Sequence, residues 1–315
     1  MESEDRPRRT RRWVRVLLWS IGGLAVVVTG LLIALWVTTP AVPELTRAEE
    51  PRELPEEWLD PQPDPILAED EQRPAVEVPE DAFVPFTSRG TLALLGDDGP
   101  FGEEVYEISI TPESAKLVSS GRFWFKILVA RVVVGFEQSL TADSHLRPAR
   151  YEMTFDGPLG FDQEMSATFA EDRALITRGD EEGEITLSPD RAFVVGTFST
   201  YALVPRLFAE REQEGEATLD LLLFGGPPSQ GGSDDEATVG LPMVRVTRAG
   251  TATIRAGETE VVAERYLVLS GLGANELLAR GDEFLAFRAV DETGSLLVYR
   301  SDYFPDGIEF VDDEG

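Results

Sequence analysis

Residues Val16 to Val37 form a run of 22 residues without a charge, and six arginines stand just before it: Arg6, Arg8, Arg9, Arg11, Arg12 and Arg15. An α-helix rises about 1.5 Å per residue, so the run reaches about 33 Å, enough for the hydrocarbon core of a bilayer. Arginine-rich flanks stay on the cytoplasmic side. The expectation is therefore a cytoplasmic basic tail over 1–15, a transmembrane helix over 16–37, and everything later on the outer side of a bacterial-type plasma membrane. Secretory signal cores are shorter, at about 7–15 apolar residues, and end in a small-x-small cleavage site. Here the run ends Trp36-Val37-Thr38-Thr39-Pro40-Ala41, with proline between the small residues. We read it as an uncleaved, single-pass signal-anchor, with Trp13, Trp19 and Trp36 suited to the two interfaces.

Charge narrows the partners. Lys and Arg number 28 against 58 Asp and Glu, a formal net charge of −30. The basic tail holds six of those arginines, so the outer portion is strongly acidic. Such a surface repels phosphates, which excludes nucleic acid as a partner. The absence of cysteine removes disulfides, thiol catalysis, lipid-modified cysteine and thiolate metal sites. The outer portion must then rest on its apolar core alone.

Residues 38–82 hold nine prolines and fourteen acids against three arginines, the composition of an extended, self-repelling, disordered linker. Folded sequence is expected from Phe83 to about 311. Short apolar or alternating runs broken by Gly/Asp turns mark strands at 91–95, 104–110, 123–138, 149–156, 161–170, 173–178, 183–188, 192–197, 217–224, 242–248, 251–255, 259–270, 284–290 and 295–301. One helix is expected near Val204, with Pro205 in its first turn and Leu203, Val204, Leu207 and Phe208 on one apolar face. A second short helix is expected around Ala274–Leu278. Residues 225–240 read as a flexible loop.

The strongest segment runs from Phe123 to Phe136. Read as one strand it is apolar on both sides, with Phe123, Phe125, Ile127, Val129 and Val133 on one and Trp124, Leu128, Ala130, Val132, Val134 and Phe136 on the other. Either a helix covers a central strand, or one side lines an apolar cavity. The candidate ligand contacts are Trp124, Leu128, Phe136, Leu203, Leu207 and Phe208.

Signatures of catalysis and metal binding are sparse. His145 is the one histidine, so neither a zinc site nor a Ser-His-Asp triad with a Gly-x-Ser-x-Gly elbow is written here. Gly271-Leu272-Gly273-Ala274-Asn275-Glu276 lacks the third glycine of a dinucleotide loop. Asp97, Asp98, Glu103 and Glu104 could approach calcium, but their spacing fits no EF-hand. Two carboxylates of a hydrolase would leave no local motif, so that reading stays open. No metal and no cofactor is expected.

The order of features is similar to a broad group of mostly uncharacterised extracytoplasmic antiparallel β-sheet proteins related to periplasmic lipoprotein carriers. The resemblance rests on the apolar run 123–138, on Leu146-Arg147-Pro148-Ala149-Arg150-Tyr151 opening a strand, and on the meander 161–197. The short helix within 199–211 and the hairpin Phe284–Arg300 with its Asp-x-x-Gly turn complete it. It implies a curved antiparallel sheet, a half-barrel or sandwich, with one short covering helix. Carriers are free or lipidated, so the helical anchor departs from them and looks instead like a bitopic lipid-export component. The expected protein is thus a membrane-anchored, acidic, non-enzymatic cell-envelope protein. Its mainly-β outer domain would bind an apolar ligand such as a lipid, or an envelope protein. The alternatives are a scaffold or adhesion module with a dry core, and a carboxylate-dependent hydrolase.

Overall fold

A computed structural model describes residues 52–59, 85–127, 130–158, 162–224, 243–270, 273–291 and 294–311. The basic tail, the apolar run 16–37, most of the linker, Leu128 and the loop 225–240 lie outside the described residues. Among the described residues no helix is long and apolar enough to cross a membrane.

The described residues are nearly all strand. They run β1 (Phe86–Gly96), β2 (Gly99–Ile110), β3 (Ala115–Ile127), β4 (Ala130–Ala142), β5 (Pro148–Asp156), β6 (Gln163–Phe169), β7 (Arg173–Arg178), β8 (Glu181–Thr186) and β9 (Ala192–Val195). After a crossover come β10 (Glu216–Leu223), β11 (Met243–Ala256), β12 (Thr259–Ser270), β13 (Gly273–Arg280), β14 (Glu283–Asp291), β15 (Gly294–Arg300) and β16 (Glu309–Val311). One sheet takes them in the order β8-β7-β6-β5-β4-β3-β2-β1-β15-β14-β13-β12-β11-β10-β9, with β16 added beside β11. It is open, with β8 and β9 as its end strands, and antiparallel except where β9 pairs β10 in parallel.

The crossover explains that exception. Parallel neighbours need a long connection, usually through a helix. Here a 3₁₀ turn (Phe198–Leu203) leads into a helix at Val204–Arg211, with Pro205 in its first turn, where a missing N–H costs nothing. We number this helix α2, after α1 (Glu56–Leu59).

Two compact units divide the chain. The described part of the smaller is residues 124–127 and 130–133, the ends of β3 and β4, where Trp124 and Val132 are buried and Phe125 is exposed. All that follows concerns the larger.

Alternation gives the sheet two faces. One, the inner, carries Leu92, Leu94, Tyr106, Ile108, Ile110, Leu117, Phe136, Leu140, Tyr151 and Met153, and packs against Leu203, Val204, Leu207 and Phe208. The opposite, outer face splits in two. Over β11–β15 and the Ala93 end of β1 it is apolar, with Ala93, Ile254, Val261, Ala263, Leu278, Leu285 and Tyr299 beneath Trp58 and Phe304. Over β2–β7 it is polar.

Three sequence expectations change. The run 123–138 is not one strand: β3 ends at Ile127 and β4 begins at Ala130. The alternation does not carry from one strand to the other, and Phe123 and Phe136, expected on opposite faces, stack with ring centroids 4.6 Å apart. Ala274–Leu278 is not helical but lies in β13, paired on both sides by β12 and β14. Its Ala, Glu and Leu favour helix, and burial of Leu277 and Leu278 on opposite faces overrides that preference. Within the linker, residues 52–59 dock. Trp58 is 6% exposed, its carbonyl accepts from Arg280 Nη1 at 2.9 Å, and Arg52 N donates to the Asp302 carbonyl at 2.7 Å.

Candidate functional site

The predicted apolar contacts fall as follows. Trp124 belongs to the smaller unit, and Leu128 is outside the described residues. Phe136, Leu203, Leu207 and Phe208 are all buried in the inner core. Beside Leu203 and Leu207 the apolar interior leaves about 20 Å³, lined also by Leu117, Leu140, Phe193 and Val194. That is room for a single water, not for an acyl chain.

A far larger space lies on the outer face. A concavity of about 1230 Å³ crosses β1 to β7, with Arg52, Arg89 and Asp302 at one end. Backbone register places its floor. Thr91, Val105 and Ser120 are neighbours across β1, β2 and β3; Ser139, Glu152, Ser166 and Thr177 are neighbours across β4 to β7. Glu137, Thr154 and Glu164 form the row beside the latter. The hollow exists because most floor side chains are short hydroxyls. Each can donate and accept one or more hydrogen bonds. Exposed Glu107, Glu137, Glu152 and Glu164 stand among them, and Glu152 is paired with Arg150 at 2.5 Å. Val105 is 54% exposed. Among the described lining residues the one aromatic, Tyr106, is buried beneath the floor.

Behind that floor, on the inner face, a polar cluster surrounds Glu104, which is 0% exposed. Its Oε1 accepts from Ser119 Oγ at 2.6 Å, from Thr197 Oγ1, and from Gln138 Nε2 at 3.4 Å; its Oε2 accepts from Ser199 N at 3.1 Å. Gln138 Nε2 also donates to Ser199 Oγ at 2.8 Å, and Tyr151 OH donates to Gln138 Oε1 at 3.0 Å. Burial pushes the Glu104 carboxyl above its usual range, against the pull of these donors. Gly196 lets the chain approach: a Cβ there would lie 1.6 Å from Tyr151 OH.

A second buried cluster centres on Arg300, 0% exposed. Its guanidinium makes a bidentate pair with Asp302 at 2.7 and 2.8 Å, and donates to Glu283 at 3.0 Å and Tyr106 OH at 2.8 Å. It lies over Gly90, where a Cβ would come within 2.2 Å of Nε. This ties β1, β2, β14 and β15 together.

The remaining sequence candidates disperse. His145 is exposed and pairs with Glu210 at 3.1 Å. Asp97 accepts from Ser295 N at 3.1 Å, Glu103 pairs with Arg122 at 2.6 Å on the outer face, and Glu104 points inward. Among the described residues no group of three or more acids and histidines converges on a metal position. Sequence reasoning missed the trough and the Glu104 cluster. For Glu104 a signal was present: extending the inner row Ile110, Ile108, Tyr106 backwards by two residues puts residue 104 inside.

No protein-family model matches the chain, and no curated protein matches it. Among solved structures it is similar to a β-barrel-like protein of the domain of unknown function DUF1849 from Brucella abortus. That match has 9% identity and a TM-score of 0.45, over 73% of this chain and 98% of that one. It is also similar to a DUF1089 family protein from Pseudomonas aeruginosa, at 12% identity and a TM-score of 0.37, over 58% and 87% of the two chains.

Proposed function

We propose that this chain is a membrane-anchored, non-enzymatic cell-envelope protein whose outward β domain holds a protein partner on the polar outer face of β1–β7. One contrast carries the reading. The concavity on that face is about 1230 Å³, whereas the apolar interior beneath α2 leaves about 20 Å³. Ligand pockets for drug-sized or larger molecules need several hundred Å³. A carrier-like function, with an acyl chain among Phe136, Leu203, Leu207 and Phe208, would require α2 to leave the sheet. The outer face requires no such movement. Its hydroxyls and carboxylates suit the polar groups of a polypeptide, and the anchor would keep the domain near other envelope proteins.

Photo-crosslinking in intact membranes tests this. A photoreactive residue replaces Thr154, on the trough floor, or Glu258, an exposed turn residue away from it. The expected result is a discrete protein adduct from position 154 that position 258 does not give. Lipid adducts alone from position 154, or the same adducts from both positions, would overturn the proposal.

A further inference from the structure

We propose that Glu104 is a proton-linked latch that sets how firmly the 3₁₀ turn 198–203 and helix α2 stay seated on the inner face of the sheet. The inference is independent of the partner proposed for the outer face.

The geometry is that of a clamp between two pieces of backbone. Glu104 on β2, Ser119 on β3, Gln138 on β4 and Tyr151 on β5 form the sheet side. Thr197 and Ser199, which frame the start of the turn, form the other side. Glu104 reaches across with both carboxyl oxygens, to the Thr197 hydroxyl and to the Ser199 backbone N–H. The covering apolar side chains Leu203, Leu207 and Phe208 follow directly in the chain.

Among the described residues no cation answers this charge. The groups acting on the carboxyl are the Ser119, Thr197 and Ser199 side chains and the Ser199 backbone N–H, with burial the largest influence. Titratable neighbours are Tyr151, whose phenol burial and Glu104 both push upward, and Tyr106, two residues along β2. Burial raises Tyr106 to about 12, and Arg300 holds its hydroxyl at 2.8 Å. Both phenols stay neutral at ordinary pH, so Glu104 is the group in the clamp that changes charge.

The sign follows from linkage. The closed clamp binds the Glu104 proton more tightly than an opened one, in which water reaches the carboxyl. Closure is therefore fully favoured below the ordinary carboxylate range. It weakens as pH rises from there through the raised value of the closed form, and levels off above it.

Hydrogen–deuterium exchange of the full chain, corrected for the intrinsic pH dependence of exchange, reads this directly. Across that window the opening equilibrium of residues 197–211 should increase by up to tenfold per pH unit, the limit for one proton. Residues 259–270 of β12 should not follow. Glu104→Gln should abolish the slope, and Ser119→Ala, which removes one donor to the anion, should move the midpoint to higher pH. A flat profile for residues 197–211 in the unaltered chain would overturn the proposal, as would a Glu104→Gln variant with the original slope. Should Glu104→Gln fail to fold, the unaltered chain and Ser119→Ala still decide: an unmoved midpoint counts against the latch.

Discussion

The outer face of this sheet is finished in two ways. Over β11–β15 and the Ala93 end of β1 it is apolar, and the chain covers it with its own segments: Trp58 from α1 and Phe304 from the segment after β15. Trp58 meets Tyr303 edge-on with centroids 5.1 Å apart; the Arg52 backbone N–H donates to the Asp302 carbonyl, and the Arg280 guanidinium donates to the Trp58 carbonyl. Charges on this face are paired too: Arg265 and Arg288 both meet Glu276. Over β2–β7 no described segment of the chain lies on the face, and hydroxyls and carboxylates line a trough. The covered half is a second core, whose removal from water stabilises the fold. The bare half has little apolar surface to hide. Its polarity allows a sheet face to stand in water, or to be covered by something equally polar.

This contrast can be broken by substitution, and the effects should rank. Arg300→Leu is the most damaging, because Asp302 and Glu283 lose the cation that binds them where β1, β2, β14 and β15 meet. Orphaning buried charge costs about 3–5 kcal/mol, which denaturant unfolding would register. Trp58→Ala should come next, at about 3 kcal/mol for a large buried aromatic; proteolysis near residues 52–59 should accelerate with it. A loss under about 0.5 kcal/mol, the size of an ordinary surface change, would mean that the strap is not part of the core.

Glu104→Gln should act in the opposite direction. The raised carboxyl makes the native chain less stable as pH climbs from the ordinary carboxylate range through the folded value. The variant should therefore match the native chain at acid pH and exceed it at neutral pH in thermal unfolding. Equal pH profiles for the two chains would contradict this. The smallest effect belongs to the bare half. Thr154→Val or Ser166→Ala should change stability by less than about 0.5 kcal/mol, so that any loss of crosslinking or binding in these variants reports the surface and not the fold.

Much of the sheet was legible because alternation is local. The rows Leu92/Leu94 and Ile108/Ile110, the βαβ helix at Val204 and the hairpin β14–β15 all carry their own signals in adjacent residues. The break between β3 and β4 does not. The sequence there offers no glycine, asparagine or proline, so the apolar run reads straight through it, and the β4 residues are assigned to the wrong face. β13 was obscured by helix-favouring residues that only two neighbouring strands make into a strand. Trp58 was a lone aromatic in a stretch whose charge and proline content argue for a solvated linker. The docking groove that fixes it comes from strands more than 200 residues away. Glu104 looked like one more acid beside a glycine turn, since the hydroxyls that hold it arrive from β3 and from the turn after β9. The trough had no sequence signal at all, because short polar residues on alternate positions are also what any solvated strand shows.

The most direct test is carboxyl-group footprinting of the full chain, once in native membranes and once purified. Should a partner occupy the outer face of β1–β7, Glu107, Glu137 and Glu164 will label strongly in the purified protein and weakly in membranes, while Glu258 labels equally in both. Equal labelling of all four in both preparations would show that the trough stands empty where the protein works, and would contradict the account.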